Sequence, residues 1–390
     1  MRRKITVVTG SRADYGLLRN LMKLIQDDSS MTLEIIATGS HFSSDHGNTY
    51  KEIEFDGFEI DYKVEILESF VDEIGTATAM SKAQVEITKI LKTSMPGILV
   101  VLGDRYEILS AVICALLLKI PIAHIHGGEI TQGAFDDSIR HAITKMSQLH
   151  FTSTEKSKKR VIQMGESPQN VFNVGGLGVD SLKELVLTER TDLEKIIGFQ
   201  FGKKNLIVTF HPETNSSLSP ETQISELLDA LSKRSDINLI FTGVNADPGG
   251  AEVTKAIKNF ISSRENAILI KSLGQKNYIS SVYYSDGIIG NSSSGLLEVP
   301  SLHKPTINIG RRQSGRECAE TVINCICNSN EILNSIDLIY NTEFRKKLVN
   351  GINPYQKNNT AQEIHRILKQ TRLADLQFKN FHDLSLLNES

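Results

Sequence analysis

Apolar and polar positions along this chain follow two alternating rhythms. Nearly continuous apolar runs, "ITVVTG", "LEIIATG", "GILVVLG", "PIAHIHGG" and "LHFTST", alternate with helical patterns such as "LLRNLMKLIQ", "ILSAVICALLLK" and "DDSIRHAITKM". Strands apolar on both faces, interleaved with helices, are the signature of a parallel sheet covered on both sides. A polar stretch around "TERTDLEKIIGFQFGKKN" interrupts the alternation, which resumes with "NLIVTFHP", "INLIFTG", "AILIKSLG", "DGIIGNSS" and "KPTINIG". The pattern predicts an α/β fold of two doubly wound, Rossmann-type domains over residues 1–185 and 200–365, with a linker near residues 180–202. Residues 366–390 read as a helix end followed by a polar tail without periodicity.

Composition narrows the choices. A chain of 390 residues, 40% hydrophobic and 23% charged, is long enough for two buried cores. A net charge of −3 with dispersed basic residues gives no broad footprint for nucleic acid or a membrane surface, which leaves small anionic ligands. The opening "MRRKITVVTG" has a basic flank, but its apolar run stops at Gly10, so it reads as a first strand and not a signal peptide. No segment approaches the roughly 20 apolar residues of a membrane span. Cys114, Cys318, Cys325 and Cys327 are too few for a disulfide framework, and a cytoplasmic location is expected. The C-x-C of "VINCICN" reads as two thiols on one face of a buried strand in preference to a zinc site.

Doubly wound sheets bind ligands beyond the carboxyl ends of their strands, and the chemistry-bearing residues collect in those turns. "TGSRADYGLL" is neither G-x-G-x-x-G nor a Walker A sequence, which weakens dinucleotide and P-loop readings. Arg12 there can grip phosphate beside a helix N-terminus, or simply pair with Asp14 at the cap. In "GNSSSGLLEV", Asn291 or Ser292 can cap a helix whose N–H groups and serine hydroxyls cradle a diphosphate. Glu298, about two turns in, can accept both ribose hydroxyls; the alternative is a plain capped helix with a surface Glu. Arg311, Arg312 and Arg316 in "GRRQSGRE" can supply charge beside the same diphosphate or form a solvated loop. His211, before Pro212, suits phosphate contact, acid catalysis or a structural role. Asp104 in "LGDRYE" either caps the next helix or faces the ligand.

The stretch "HIHGGEITQGAFDDSIRH" is the densest in candidates. His124, His126 and Glu129 do not form H-E-x-x-H, which argues against zinc. Asp136 and Asp137 can simply favour the positive end of their helix. Yet Asp104, Glu129, Asp136 and Asp137 should all converge on one sheet edge. Clustered carboxylates raise one another's pKa, divide into acid and base, and stabilise a positively charged sugar-like transition state.

Taken together and in order, "GSRADYGLL", "GSHF…GNTY", "GDRYE", "HGGEITQGAFDDSIRHAITKMS", "HPET" and "GNSSSGLLEVPSLHKPTINIGRRQSGRE" resemble the hydrolysing UDP-N-acetylglucosamine 2-epimerases of sialic acid biosynthesis, the bacterial NeuC enzymes in particular. The resemblance implies a GT-B-like fold with the active site between the domains, no metal or nicotinamide, and a homodimer or homotetramer. It implies conversion of UDP-N-acetylglucosamine and water to N-acetylmannosamine and UDP through 2-acetamidoglucal. It assigns Arg12, with Asp14 beside it, His211, Ser292, Ser293, Glu298 and Arg312 to UDP, and the backbone near Leu273 and Gly274 to uracil. Asp104, Asp137 and Asp136 match the catalytic carboxylates. Relatives such as the animal enzyme have a glutamate in "HIEGGE" where this chain has His126, so that acid–base role passes to His126 or to Glu129. The same chemistry on UDP-2,4-diacetamido-2,4,6-trideoxyglucose, a non-hydrolysing epimerase and a non-catalytic UDP-sugar-binding protein are the competing readings.

Overall fold

The computed structural model describes residues 2–44, 47–67, 73–131, 135–213, 216–244 and 249–384. Residues 132–134 of the glycine-rich turn, Thr214 of "HPET" and the last six residues of the tail lie outside these. The chain divides into two compact units. The first comprises residues up to Glu129, Phe135–Ser181 and everything from Lys357; the second is chiefly Leu182–Gln356.

The first unit is built on seven strands: β1 (Arg3–Thr9), β2 (Met31–Thr38), β3 (Tyr62–Val64), β4 (Ile98–Leu102), β5 (Ile122–Ile125), β6 (Leu149–Thr152) and β7 (Val171–Asn173). They pair in the order β3-β2-β1-β4-β5-β6-β7, all parallel. The helices that concern the site are α1 (Arg12–Asp27), α2 (Tyr50–Phe55), α3 (Glu73–Ser94), α4 (Tyr106–Leu117) and α5 (Asp136–Met146). Every residue of β4, β5 and β6 is buried, as expected of strands covered on both faces. On one face, Leu18, Leu21, Met22 and Ile25 of α1 pack on Ile5, Val7, Ile98 and Val100; on the other, Ala83, Ile87 and Leu91 of α3 pack with Ala111, Val112 and Ala115 of α4.

The second unit carries β8 (Asn205–Thr209), β9 (Asn238–Thr242), β10 (Ala267–Ile270), β11 (Gly287–Gly290), β12 (Thr306–Ile309) and β13 (Val322–Cys325), in the parallel order β10-β9-β8-β11-β12-β13. In both sheets the strand order reverses beside the first strand, between β1 and β4 and between β8 and β11. That reversal opens the crevice where such sheets take ligands. At the second reversal, Gly290 lets β11 come close to β8. Its φ is +141°, and a Cβ there would stand 1.8 Å from the Thr209 carbonyl oxygen. Gly290→Ala is therefore expected to lower the melting temperature by about 10 °C in a thermal-shift measurement; a shift within error would contradict the close approach.

Several sequence expectations change. The helix Thr360–Gln370 buries Ala361, Ile364, Ile367 and Leu368 in the first unit's core, so the boundary placed at residue 365 moves to Lys357. An amphipathic stripe shows that a helix is buried on one side, not against which partner. The expected linker near 180–202 contains the helix Arg190–Ile197, whose Leu193 and Ile197 join the second unit's core with Phe201. β13 is a half-buried edge strand that ends at Cys325, so the C-x-C does not lie within a buried strand; both thiols are half-buried. The polar tail is tied down at Lys379, whose Nζ donates to the Ser147 carbonyl at 2.6 Å and pairs with Glu166 at 2.7 Å. No helix among the described residues is long and apolar enough to cross a membrane.

Candidate functional site

In the first unit, the turn after β1 is organised by its own side chains. The Ser11 hydroxyl caps α1 by accepting the Asp14 N–H at 3.3 Å, and Asp14 reaches back to the Gly10 N–H at 3.3 Å, a variant of the capping box. Arg12 does not pair with Asp14: its Nε donates to Glu52 of α2 at 3.1 Å. His41, buried, joins this turn to the segment before α2 by hydrogen bonds of 2.9 Å to Thr9 and 2.9 Å to Thr49. Burial pushes Asp14 up to about 6, with Arg105 pulling down and Glu107 and Asp104 pushing up.

The carboxylates meet around a residue that the sequence analysis passed over. Arg140, in the middle of α5 and 3% exposed, pairs through Nη2 with Asp104 at the end of β4. Its Nη1 donates to the Glu129 carbonyl at 3.0 Å and lies 3.9 Å from Asp137 Oδ1. Asp136, at the start of α5, is pushed up to about 6, first by burial and then by the charge of Asp104. Asp104, Asp137 and the Glu129 backbone are thus held by one buried guanidinium, and Asp136 lies within reach of the Asp104 charge. A mid-helix arginine ordinarily reads as part of a solvated face. The signal was its i, i+3 spacing from Asp137 in "DDSIR".

His126 sits at φ +64° just past β5, its N–H donating to the Phe151 carbonyl at 2.8 Å. Its Nδ1 lies 3.7 Å from Glu129 Oε1, which accepts the Ser153 hydroxyl at 2.7 Å. The two candidates for one acid–base role are therefore adjacent. His124 is structural: it is fully buried, donates from Nε2 to the Gly103 carbonyl at 2.8 Å, and is pushed down to about 3 by desolvation. Among the described residues, no group of three or more His, Cys, Asp or Glu side chains is placed to hold a metal ion.

In the second unit, Asn291 organises the crevice. Its Oδ1 accepts the His211 N–H at 2.8 Å and its Nδ2 donates to the His211 carbonyl at 2.7 Å, so one amide holds both backbone groups of the histidine. The Asn291 carbonyl accepts Arg312 Nη1 at 3.2 Å and Gln313 Nε2 at 2.9 Å. Glu213 accepts the Arg312 N–H at 2.8 Å and that of Arg311, fixing the turn after β12. Burial, then Arg312, brings His211 down to about 3, so near neutral pH it is an uncharged imidazole.

Asn291 and Ser292 do not cap a helix, contrary to expectation. Ser293 occupies that place without a side-chain cap bond, and the helix is only Ser294–Leu297, followed by a 3₁₀ turn over Val299–Leu302. Glu298 stands at the junction and not two turns in. Pro300 is the cause, since it has no N–H to continue the α-helical ladder and the chain goes on as a 3₁₀ turn. Leu273 and Gly274 begin the helix Gly274–Tyr284, both half-buried. Arg311 is exposed, and the Arg316 N–H closes a turn onto Gln313 at 3.3 Å.

Two doubly wound units of this design, each with polar residues gathered at its strand reversal, define a GT-B-like protein. A solved UDP-GlcNAc 2-epimerase from Neisseria meningitidis, bound to UDP-GlcNAc, superposes with a TM-score of 0.82 at 21% identity, covering 94% of this chain and 100% of that one. Residues 23–369 match the UDP-N-acetylglucosamine 2-epimerase family, and the chain belongs to it. It is 40% identical to the polysialic acid biosynthesis protein P7 of Escherichia coli, over 98% of each chain. It is 39% identical to the hydrolyzing GDP/UDP-N,N'-diacetylbacillosamine 2-epimerase of Campylobacter jejuni, over 98% of this chain and 100% of that one.

Proposed function

We propose that the protein is a hydrolysing 2-epimerase that converts UDP-N-acetylglucosamine and water to N-acetylmannosamine and UDP. The observation that carries the reading is the grouping of Asp104 and Asp137 around Arg140, with neighbouring Asp136 raised by burial and by the Asp104 charge to about 6, where it can both take and give a proton. The C2 hydrogen is not beside a carbonyl, so cleavage of the bond from C1 to UDP runs ahead of its removal. Positive character at C1 is then stabilised by the carboxylates. The C2 proton goes to a carboxylate, the C1–oxygen bond breaks to release UDP, and the C1–C2 double bond forms. Water then adds its oxygen at C1 and a proton returns to C2 on the other face, giving the manno configuration. His126 or Glu129 serves as the second acid–base group.

In this reading the second unit takes the UDP: Arg312 and neutral His211 at the diphosphate with Ser292 and Ser293, Glu298 at the ribose, and Leu273–Gly274 at uracil. Arg12 is a further candidate for phosphate contact. Glu298→Ala is expected to weaken UDP binding about tenfold in calorimetry, as loss of hydrogen bonds to a charged acceptor does, with little change in kcat at saturation. Unchanged UDP affinity would remove Glu298 from the ribose.

A second substrate is favoured by a specific observation. The Campylobacter jejuni relative, 39% identical along its whole length, carries a diacetylbacillosamine substrate in its name. UDP-2,4-diacetamido-2,4,6-trideoxyglucose would undergo the same steps. Parallel assays of UDP release from the two sugars decide between them, and release from neither would leave a binding protein.

The pH profile offers a further check. As pH rises through about 6, Asp136 gives up its proton and becomes able to accept one. kcat/KM is therefore expected to rise through that range, and the limb is expected to vanish in Asp136→Asn when measured from about pH 5 to about pH 8. A limb that persists unshifted would assign the titration to another group.

A further inference from the structure

The first turn of α4 carries a carboxylate, Glu107, that is wholly excluded from solvent. β2, β1 and β4 are neighbours in the sheet, and the turns that leave all three close on this side chain. A Cβ on Gly10 would lie 2.5 Å from Glu107 Oε1, and one on Gly39 would lie 3.0 Å from the same atom. The Ser40 N–H donates to the Gly10 carbonyl at 2.9 Å, so these two turns are also tied to each other. Glu107 Oε1 accepts Arg105 Nε at 2.5 Å, while the buried Oε2 has no hydrogen-bond partner among the described residues.

An unsatisfied buried oxygen costs on the order of 1–3 kcal/mol, more when it is charged. A side chain that merely filled this space would do so better without the charge. The place is also the strand reversal of the first sheet, where a doubly wound fold receives its ligand. We infer that Glu107 is a positioning residue of the active site: it holds the Arg105 guanidinium and sets the spacing of the Gly10 and Gly39 turns. The charged groups that act most on Asp14 are Arg105, Glu107 and Asp104, and Arg105 acts on Asp136 as well. The inference rests on the epimerase reading for its functional consequence, though not for its geometry.

Glu107→Gln keeps the shape and removes the charge. Misplacement of a supporting group can cost about a hundredfold, and a fall of that size in kcat is expected, with the UDP dissociation constant changed less than about twofold. In carbon-13 NMR the Asp14 carboxyl is expected to titrate at lower pH than in the unaltered protein, because a neighbouring negative charge is gone. Glu107→Asp returns the charge, withdrawn by one methylene, and is expected to lose only about tenfold in kcat. An unchanged kcat in Glu107→Gln overturns the inference. So does a loss of UDP affinity and melting temperature in step with activity in both variants, which a purely structural role would give. If Glu107→Gln does not fold, Glu107→Asp decides alone, and full activity in it overturns the inference. If the unaltered protein turns over neither UDP-sugar, the epimerase reading fails. The Asp14 titration then decides: a downward shift sustains the placement of Glu107, and no shift overturns it.

Discussion

Asp104→Asn is expected to reduce kcat about a thousandfold, within the range that a positioned acid or base contributes, while UDP affinity stays within about twofold. The reasoning is spatial. Asp104 leaves β4 directly into the group held by Arg140, whereas the residues proposed for UDP contact are chiefly in the second unit. Asparagine can still accept a hydrogen bond from Arg140, so the fold should survive and the melting temperature should move by no more than a few degrees. Steady-state kinetics with calorimetry on the same preparation reads both quantities. Equal losses of turnover and of UDP binding would show that Asp104 supports binding, and the division of labour between the units would fail.

The second large effect is expected at Arg140. Arg140→Met removes the one guanidinium shared by Asp104, Asp137 and the Glu129 carbonyl. Removing one partner of a buried ion pair typically costs 3–5 kcal/mol. Asp104 and Asp137 retain 22% and 29% exposure, so water relieves part of the cost. A loss of about 3 kcal/mol is expected, a fall of roughly 6–12 °C in melting temperature for a unit of this size. At temperatures where the variant stays folded, kcat should still fall at least about a hundredfold, because the carboxylates lose their common anchor. The Arg140 charge also pulls Asp136 down, so its loss should raise Asp136 and move the acid limb of kcat/KM to higher pH. A variant with unaltered kinetics and lower stability would make Arg140 a structural residue only.

The fold was largely legible because strands buried on both faces print continuous apolar runs, and β4, β5, β6 and β8 are buried at every position. β3 escaped because three residues at a sheet edge leave no pattern. The destination of the helix Thr360–Gln370 escaped because periodicity carries no address. The site was legible in kind, since post-strand turns can be found from the strands alone. Its wiring was not. Asn291 and His211 stand 80 residues apart and meet only because β8 and β11 pair. Glu107 and Arg140 read as ordinary helix-surface charges, and only burial shows otherwise. The helix expected from "GNSSSGLLEV" is only Ser294–Leu297, because Pro300 cannot continue the ladder and the chain passes into a 3₁₀ turn.

In the proposed reaction UDP leaves as the C2 proton is exchanged. The most direct measurement is proton NMR of the protein in deuterated water with UDP-N-acetylglucosamine, following free UDP and the C2 position. Free UDP together with a manno sugar carrying deuterium at C2 is expected from that reaction. A manno sugar still bound to UDP, or a product that keeps its C2 hydrogen, would contradict it.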